Sequence, residues 1–170
     1  VAQQTNWSEV EDIIRTAEQS GGVVGVTLIG PNGDRFTHNG DRQCVTASTV
    51  KIPLMVEIYR EIEQGERSLD DKYVLNDADR CVGGGHSGVM GYLSQDLPFT
   101  LYDLIYLMIS ISDNTATNVL IDMAGFDRVN ATMQRIGMRN SVLGRKMLGR
   151  AAQGNESSFR GGRVVSARAG

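Results

Sequence analysis

A serine and a lysine three positions apart could form a nucleophile and its base in this chain of 170 residues. They are Ser48 and Lys51, in the segment ASTVKI at residues 47–52. If a helix begins at Ser48, positions i and i+3 lie on one face, so the hydroxyl and the amine meet at its first turn. A lysine whose pKa is lowered by desolvation can remove the hydroxyl proton. The pattern therefore predicts an enzyme that is acylated on Ser48.

The trio Ser112-Asp113-Asn114 adds a second hydroxyl and an amide that could serve the same site. A lone S-x-x-K pattern recurs by chance in surface helices. Here it opens an otherwise apolar helix, which favours a buried pair of Ser48 and Lys51. Ser112 is placed as the N-cap of another helix, but capping explains only one position of the trio. The two motifs together indicate one shared site.

With these motifs the chain resembles the penicillin-recognising serine enzymes, and among them the class A β-lactamases. The motif set of that family is S-x-x-K, S-D-N and K-T-G. The segments ASTVKIP at 47–53, GHSGV at 85–89 and SDNTATN at 112–118 resemble class A segments in the correct order, and the resemblance covers roughly residues 6–150. It implies an α+β fold of the serine β-lactamase/transpeptidase-like type. A helical subdomain would join an N-terminal helix and a β-hairpin, with the C-terminal strands missing.

The resemblance also implies a role for each motif residue. Ser48 would attack the carbonyl carbon of a β-lactam ring, and Lys51 would be its base or part of the proton path. Ser112 would relay a proton toward the leaving nitrogen. Asn114 would bind Lys51 and the amide side chain of the substrate. The substrate would be a small-molecule β-lactam or a peptidoglycan-like peptide.

One departure from the class A pattern concerns deacylation. In that family a glutamate in the loop after the fifth helix activates the water that releases the acyl group. Aligning residues 141–146 with that loop places Met147 at the position of the glutamate. Because a thioether cannot accept a proton, an acyl-enzyme formed here would clear slowly.

A second departure is that no K-[ST]-G sequence follows Ser112. The lysines of the chain are Lys51, Lys72 and Lys146, and none begins that pattern. The residues His86-Ser87-Gly88 resemble it but precede Ser112, and we interpret them as part of a glycine-rich turn. A family member without the K-T-G strand would lack one wall of its substrate pocket.

Three functions remain open on this sequence. The first is a serine hydrolase of the class A β-lactamase type. The second keeps the nucleophile but acts as a D-alanyl peptidase or small-ester hydrolase with slow turnover. The third is a truncated, catalytically silent protein that at most binds β-lactams or a partner chain. The resemblance implies an exported location, periplasmic or extracellular, and the start at Val1 fits either a removed signal peptide or an expression boundary.

Composition argues against several other classes of protein. A net charge of −3 gives no reason to expect a nucleic-acid partner. No apolar run approaches the ~20 residues that span a membrane. Cys44 and Cys81 are too few for a disulfide scaffold and lack metal-ligand spacing. His38 and His86 lie far apart with no cysteine nearby, so we predict neither a metal site nor a cofactor.

Periodicity and caps predict five helices and one hairpin. The first helix should be capped by Asn6 with Glu9 and buried along one apolar stripe. The hairpin should pair residues 23–29 with 35–38. The remaining helices are predicted at 48–64, 101–109, 113–124 and 127–136, and residues 70–91 as turns. The helix at 101–109 should begin behind Thr100, with Asp103 three residues on to complete a capping box. Because two strands make a marginal sheet, two chains could pair through it to form a dimer.

The end of the chain has a different composition from the rest. After Leu143 there are six basic residues and one acidic residue. We therefore divide the chain into a partial β-lactamase-like domain at 1–158 and an atypical basic tail at 159–170. A basic arm for an acidic partner is one interpretation. We prefer an out-of-frame translation product, which reading the other two frames of the gene would test.

Overall fold

A computed structural model describes residues 5–81, 87–94, 96–148 and 163–164. The chain divides into two compact units, Val1–Cys44 and Val45–Gly170. In chain order the helices and strands are α1 (Ser8–Gln19), β1 (Val26–Ile29), β2 (Arg35–His38), β3 (Cys44–Val45), a 3₁₀ helix (Ala47–Val50), α2 (Lys51–Glu63), β4 (Lys72–Val74), two 3₁₀ helices (Asp77–Asp79 and Met90–Tyr92), β5 (Pro98–Thr100), α3 (Leu101–Ser110), α4 (Asn114–Ala124), α5 (Phe126–Arg135) and β6 (Arg163–Val164).

The first unit contains α1 and the predicted hairpin of β1 and β2. The two strands are antiparallel, with Val26 opposite His38 and Ile29 opposite Arg35. Gly33 adopts a φ of +80° in the turn between them, a conformation that glycine adopts without steric cost. The predicted hairpin is confirmed.

The start of α1 differs from the prediction. The capping residue is Trp7, which makes no side-chain cap, so the predicted capping box of Asn6 and Glu9 is wrong. Asn6 instead accepts a hydrogen bond from the N–H of Ser8 at 3.0 Å. The predicted apolar stripe is also narrower than expected, because Ile14 is the buried residue of α1.

The second unit is built on the helices α2 to α5, which surround one apolar core. Ile58 of α2, Leu104 of α3 and Leu120 of α4 are fully buried in it. The predicted capping box of α3 is confirmed, since Thr100 accepts from the N–H of Asp103 at 3.1 Å and Asp103 accepts in return. The strands β4 and β5 form an antiparallel pair that the sequence did not predict.

The helix that carries Lys51 begins in two steps. A 3₁₀ turn covers Ala47–Val50, and the α-helix starts at Lys51 rather than at the predicted Ser48. Pro53 is the third residue of α2. Its missing N–H is one of the four that a helix start leaves unpaired, so proline is tolerated there.

A buried ion cluster connects α2 to α5. Glu57 of α2 is fully buried and accepts two hydrogen bonds from Arg60, at 2.6 and 2.8 Å. From α5, Thr132 donates to Glu57, and Arg128 Nε lies 3.2 Å from both Glu57 and Glu61. Burial would raise the pKa of Glu57, but these donors outweigh it and bring the pKa to about 2. The cluster therefore fixes the orientation of the helix that begins with Lys51.

The predictions about His86, the basic tail, metal binding and membrane spans are compared here with the described residues. His86 lies outside the described residues, as does the tail at 159–170 apart from β6. Within the described part of the chain, no three His, Cys, Asp or Glu residues are grouped to bind a metal ion. None of the helices in that part has the length and apolarity that a membrane crossing requires.

Candidate active site

Lys51 is the centre of a buried hydrogen-bond cluster. It is the first residue of α2 and is only 2% exposed. Its Nζ donates to the carbonyl oxygen of Ser112 at 2.6 Å, to the hydroxyl of Ser112 at 2.8 Å and to Oδ1 of Asn114 at 3.0 Å. These three acceptors satisfy the three N–H groups of a lysine ammonium. The structure thus brings together the two motifs that the sequence singled out.

Ser48 is joined to this cluster through Ser112. The hydroxyl of Ser112 donates to Ser48 Oγ at 2.9 Å, so the described contacts link Lys51 to Ser48 by way of a second hydroxyl. Residues i and i+3 eclipse one another in a 3₁₀ turn, which keeps Ser48 and Lys51 on one face. The expected burial holds for Lys51 but is wrong for Ser48, which is exposed. Exposure leaves the hydroxyl accessible to a ligand.

The backbone at Ser112 has an unusual conformation. Its φ is +58°, in the left-handed region that costs a residue with a side chain roughly 1–2 kcal/mol. The predicted cap at Ser112 is wrong, because the N-cap of α4 is Asp113, whose Oδ1 accepts from the N–H of Ala116 at 3.0 Å. Ser112 therefore lies just before the helix, with both its carbonyl and its hydroxyl directed at Lys51.

Asp113 also connects α4 to the turn at 87–90. Its Oδ2 accepts from the N–H groups of Val89 and Met90, each at 2.7 Å. Gly88 in that turn has a φ of +103°, and a Cβ there would lie 2.2 Å from the carboxylate oxygen. The close approach of this backbone to Asp113 therefore requires glycine.

The environment of Lys51 makes its ammonium easier to deprotonate than that of a lysine in water. Burial of the amine lowers the pKa of Lys51 to about 8, although the Asp113 carboxylate, and less strongly the Cys81 sulfur, act in the opposite direction. An amine with this pKa is partly unprotonated near neutral pH, as a general base must be. The expected effect of desolvation on this lysine is confirmed in direction.

An open cleft in the second unit exposes Ser48. Its polar wall includes Ser87 and Asn114, and Arg145 also lines it. Its apolar wall is formed by Val45, Val50, Leu143, Met147 and Leu148. The lining of the cleft thus combines hydroxyl and amide groups with apolar side chains that could contact a hydrophobic group of a ligand.

Met147 is held in this wall by its backbone. Its N–H donates to Asn118 Oδ1 at 2.7 Å, and its carbonyl accepts from Asn118 Nδ2 at 3.2 Å. The Cys81 thiol donates to the same carbonyl at 3.6 Å. The residue that the sequence alignment placed at the glutamate position therefore lines the same cleft as Ser48.

Comparison with known proteins assigns the chain to a family. The sequence model of a family described as the beta-lactamase enzyme family matches residues 6–169. The chain belongs to the beta-lactamase enzyme family. A beta-lactamase of Rhodobacter capsulatus is 30% identical over 146 residues, which cover 79% of this chain and 45% of that protein. The chain thus spans less than half the length of this curated relative.

Solved structures of the beta-lactamase family have the same fold. The crystal structure of a beta-lactamase from Sphaerobacter thermophilus DSM 20745 is 48% identical, with a TM-score of 0.85 over 96% of this chain and 59% of that one. An ancestral class A beta-lactamase is 25% identical, with a TM-score of 0.75 over 92% of this chain and 59% of that chain. The predicted serine β-lactamase/transpeptidase-like fold and the class A resemblance are confirmed.

Sequence reasoning missed three residues that organise this β-lactamase-like site. The motifs contain Asp113 and Asn118 and the glycine-rich turn contains Ser87, but the sequence pattern predicts no separate role for any of the three. Their partners, Val89, Met147 and Ser112, lie between 24 and 29 residues away in the chain. The sequence offers one local signal, the glycine at position 88 beside Ser87.

Proposed function

We propose that this protein is a serine hydrolase of the class A β-lactamase type, acylated on Ser48 by a β-lactam ring. The observation that carries the proposal is the continuous hydrogen-bonded chain from Lys51 Nζ through Ser112 Oγ to Ser48 Oγ. It places a nucleophile, a relay and a base in one line, as nucleophilic catalysis by a hydroxyl requires.

Acylation would proceed along this chain. Once Lys51 is neutral, the two hydroxyl hydrogens turn so that Ser48 donates to Ser112 and Ser112 donates to Lys51. The amine then takes the Ser112 proton as Ser112 takes the proton of Ser48, and Ser48 Oγ forms a bond to the lactam carbonyl carbon. The lactam C–N bond then breaks. The same path returns a proton from Lys51 through Ser112 to the departing ring nitrogen. The product is an ester of Ser48, with Lys51 neutral again.

Asn114 would contribute in two ways. Its Oδ1 accepts from Lys51 at 3.0 Å and so helps to hold the amine in line with Ser112. Because Asn114 also lines the cleft, its Nδ2 can donate to an amide oxygen on the side chain of the substrate. This second contact would orient the lactam carbonyl toward Ser48.

The position of Met147 supports an alternative function in which Ser48 is acylated but the acyl group is released slowly. Release of the acyl group requires a base that activates water, and Met147 occupies the wall of the cleft where we align the family's glutamate. A thioether cannot take a proton. The alternative is therefore a penicillin-binding peptidase or esterase-like protein whose Ser48 ester persists.

A labelling experiment tests the proposal. We expect a fluorescent penicillin to add its mass to Ser48, and Ser48→Ala and Lys51→Ala each to abolish the label, because one removes the nucleophile and the other its base. Ser20→Ala and Lys72→Ala, at exposed positions in other elements, are matched controls that should label normally. An unlabelled wild-type protein would favour the silent remnant.

Substrate choice, location and assembly need separate measurements. Hydrolysis of nitrocefin, compared with that of a simple ester, distinguishes the β-lactamase from the esterase-like alternative. We propose an exported location, which cell fractionation tests. The dimer through the sheet stays a prediction, and the mass of the protein in solution tests it.

A further inference from the structure

Ser87 contacts the Ser112-Asp113-Asn114 segment on both sides of Asp113. Its hydroxyl donates to the carbonyl oxygen of Ser112 at 2.6 Å. Its own carbonyl accepts from the N–H of Asn114 at 3.0 Å. Ser87 also lines the cleft that exposes Ser48. The reaction proposed above gives this residue no role.

The hydroxyl of Ser87 shares its acceptor with Lys51. The carbonyl oxygen of Ser112 accepts from Lys51 Nζ and from Ser87 Oγ, each at 2.6 Å. A carbonyl oxygen has two lone pairs, so both are in use. The positive end of the Ser87 O–H dipole therefore points at the oxygen that stabilises the Lys51 ammonium. A donor in this position disfavours the charged amine.

The effect of Ser87 on the charge of Lys51 has to be compared with the effects of the other groups around the amine. The carboxylate of Asp113 and the sulfur of Cys81 favour the ammonium form, whereas burial opposes it. Asn114 Oδ1 and Ser112 Oγ are acceptors that also favour the ammonium. Among the described groups around the amine, Ser87 is thus an uncharged donor that lowers the pKa of Lys51, as burial does.

Ser87 also restrains a costly backbone conformation. Ser112 is held at a φ of +58°, which persists only where surrounding contacts enforce it. Ser87 supplies two such contacts, one to residue 112 and one to residue 114. Without them, the hydroxyl of Ser112 would be less firmly held between Lys51 and Ser48, and the carbonyl of Ser112 would accept more strongly from Lys51 alone.

We propose that Ser87 is a positioning residue for acylation, which holds the Ser112 carbonyl in place and shares it with Lys51 so that the amine gives up its proton more readily. The inference rests on the proposed function of Ser48 and Lys51. Ser87 acts through these residues and does not itself contact the reacting atoms.

Titration of Lys51 by NMR tests the inference without requiring acylation. The chain has only three lysines, so protein labelled with ¹³C at the lysine Cε gives few signals, and Lys72 and Lys146 serve as internal controls. We expect Ser87→Ala to raise the apparent pKa of Lys51 by about 0.5 to 1, the equivalent of one net hydrogen bond. Ser87→Thr keeps the hydroxyl and should titrate like the wild type. A Ser87→Ala protein in which Lys51 titrates as in the wild type would overturn the proposal.

Acylation kinetics supply the second readout. At neutral pH the unprotonated fraction of the amine falls about tenfold for each unit by which its pKa rises. Ser87→Ala should therefore slow acylation by a fluorescent penicillin about three- to tenfold at pH 7 and recover at alkaline pH, with unchanged affinity before acylation. A loss of affinity with an unchanged acylation rate would instead make Ser87 a substrate contact and contradict the inference.

The outcomes separate this inference from the proposed function. A wild-type protein that is not labelled on Ser48 refutes the function, while the titration of Lys51 still decides the effect of Ser87 on the amine. Ser87→Cys covers the case in which Ser87→Ala does not fold. A thiol is a weaker donor than a hydroxyl, so a rise in the Lys51 pKa smaller than 0.5 is expected, and no rise would contradict the proposal.

Discussion

Replacing Met147 by glutamate should convert a persistent acyl-enzyme into one that turns over. The backbone of Met147 is fixed by two hydrogen bonds to Asn118, at 2.7 and 3.2 Å, so a new side chain would leave the same point in the cleft wall. Met147 is only partly buried, so a glutamate there can stay ionised and reach water. It would supply the base that the acyl-Ser48 ester lacks.

The size of the effect follows from the missing proton transfer. A positioned general base contributes about 10²- to 10⁴-fold in rate, or about 3–5 kcal/mol of barrier. We expect the lower end, about 100-fold, because the apolar side chains of Leu143 and Leu148, which line the same cleft, offer no hydrogen bond that would hold a carboxylate in place. Met147→Gln is the matched control, since it has the same shape as glutamate but cannot accept a proton.

The assay follows the acyl group directly. The protein is acylated with penicillin, excess drug is removed, and the loss of the added mass from Ser48 is followed by intact-protein mass spectrometry. If Met147→Glu and Met147→Gln lose the acyl group equally slowly, Met147 does not stand where the deacylation base acts. If the wild type already deacylates as fast as the glutamate variant, another residue supplies the base.

Two further predictions concern stability. The pKa of Glu57 is lowered from its usual 4.5 to about 2, so the donors around it, Arg60, Thr132 and Arg128, should together contribute about 3 kcal/mol above pH 4.5 and lose that contribution as the pH falls to 2. Urea unfolding of Glu57→Gln should show this loss at pH 7 and much less of it near pH 2; an equal deficit at both pH values would contradict the assignment. Gly88→Ala should lower the melting temperature well beyond Gly65→Ala, because both have positive φ but only Gly88 would clash, at 2.2 Å from Asp113. Equal shifts for the two glycine variants would show that the turn relaxes away from Asp113.

The composition of the site could be predicted from the sequence, because motif spacing is local information. A serine three residues before a lysine shares a face with it in either a 3₁₀ or an α-helical turn, so an error in the start of α2 did not matter. The N-cap of α4 was harder to predict from residues 112–114. Serine, aspartate and asparagine are all good N-caps, and the sequence does not rank three of them in a row. The contacts of Asp113 with the turn at 87–90 decided the choice.

Other features depend on distant residues and leave little trace in the sequence. The strands β4 and β5 have three residues each, too few for an alternating pattern to stand out. The Asn118 contacts with Met147 join residues 29 positions apart. The exposure of Ser48 depends on the whole cleft. From the sequence alone, a serine at the start of an apolar helix is expected to be buried. Tertiary contacts, rather than local preference, settled each of these points.

One of the acceptors that anchor Lys51 is a main-chain carbonyl, that of Ser112. Since every amino acid carries this group, no single codon change at position 112 can delete it. A mutation there to a residue without a hydroxyl removes the proposed relay but leaves part of the lysine's anchorage intact. Mutation at this position would therefore weaken the proposed proton transfer before it displaces the amine, and reversion of one codon would restore the Ser112 hydroxyl.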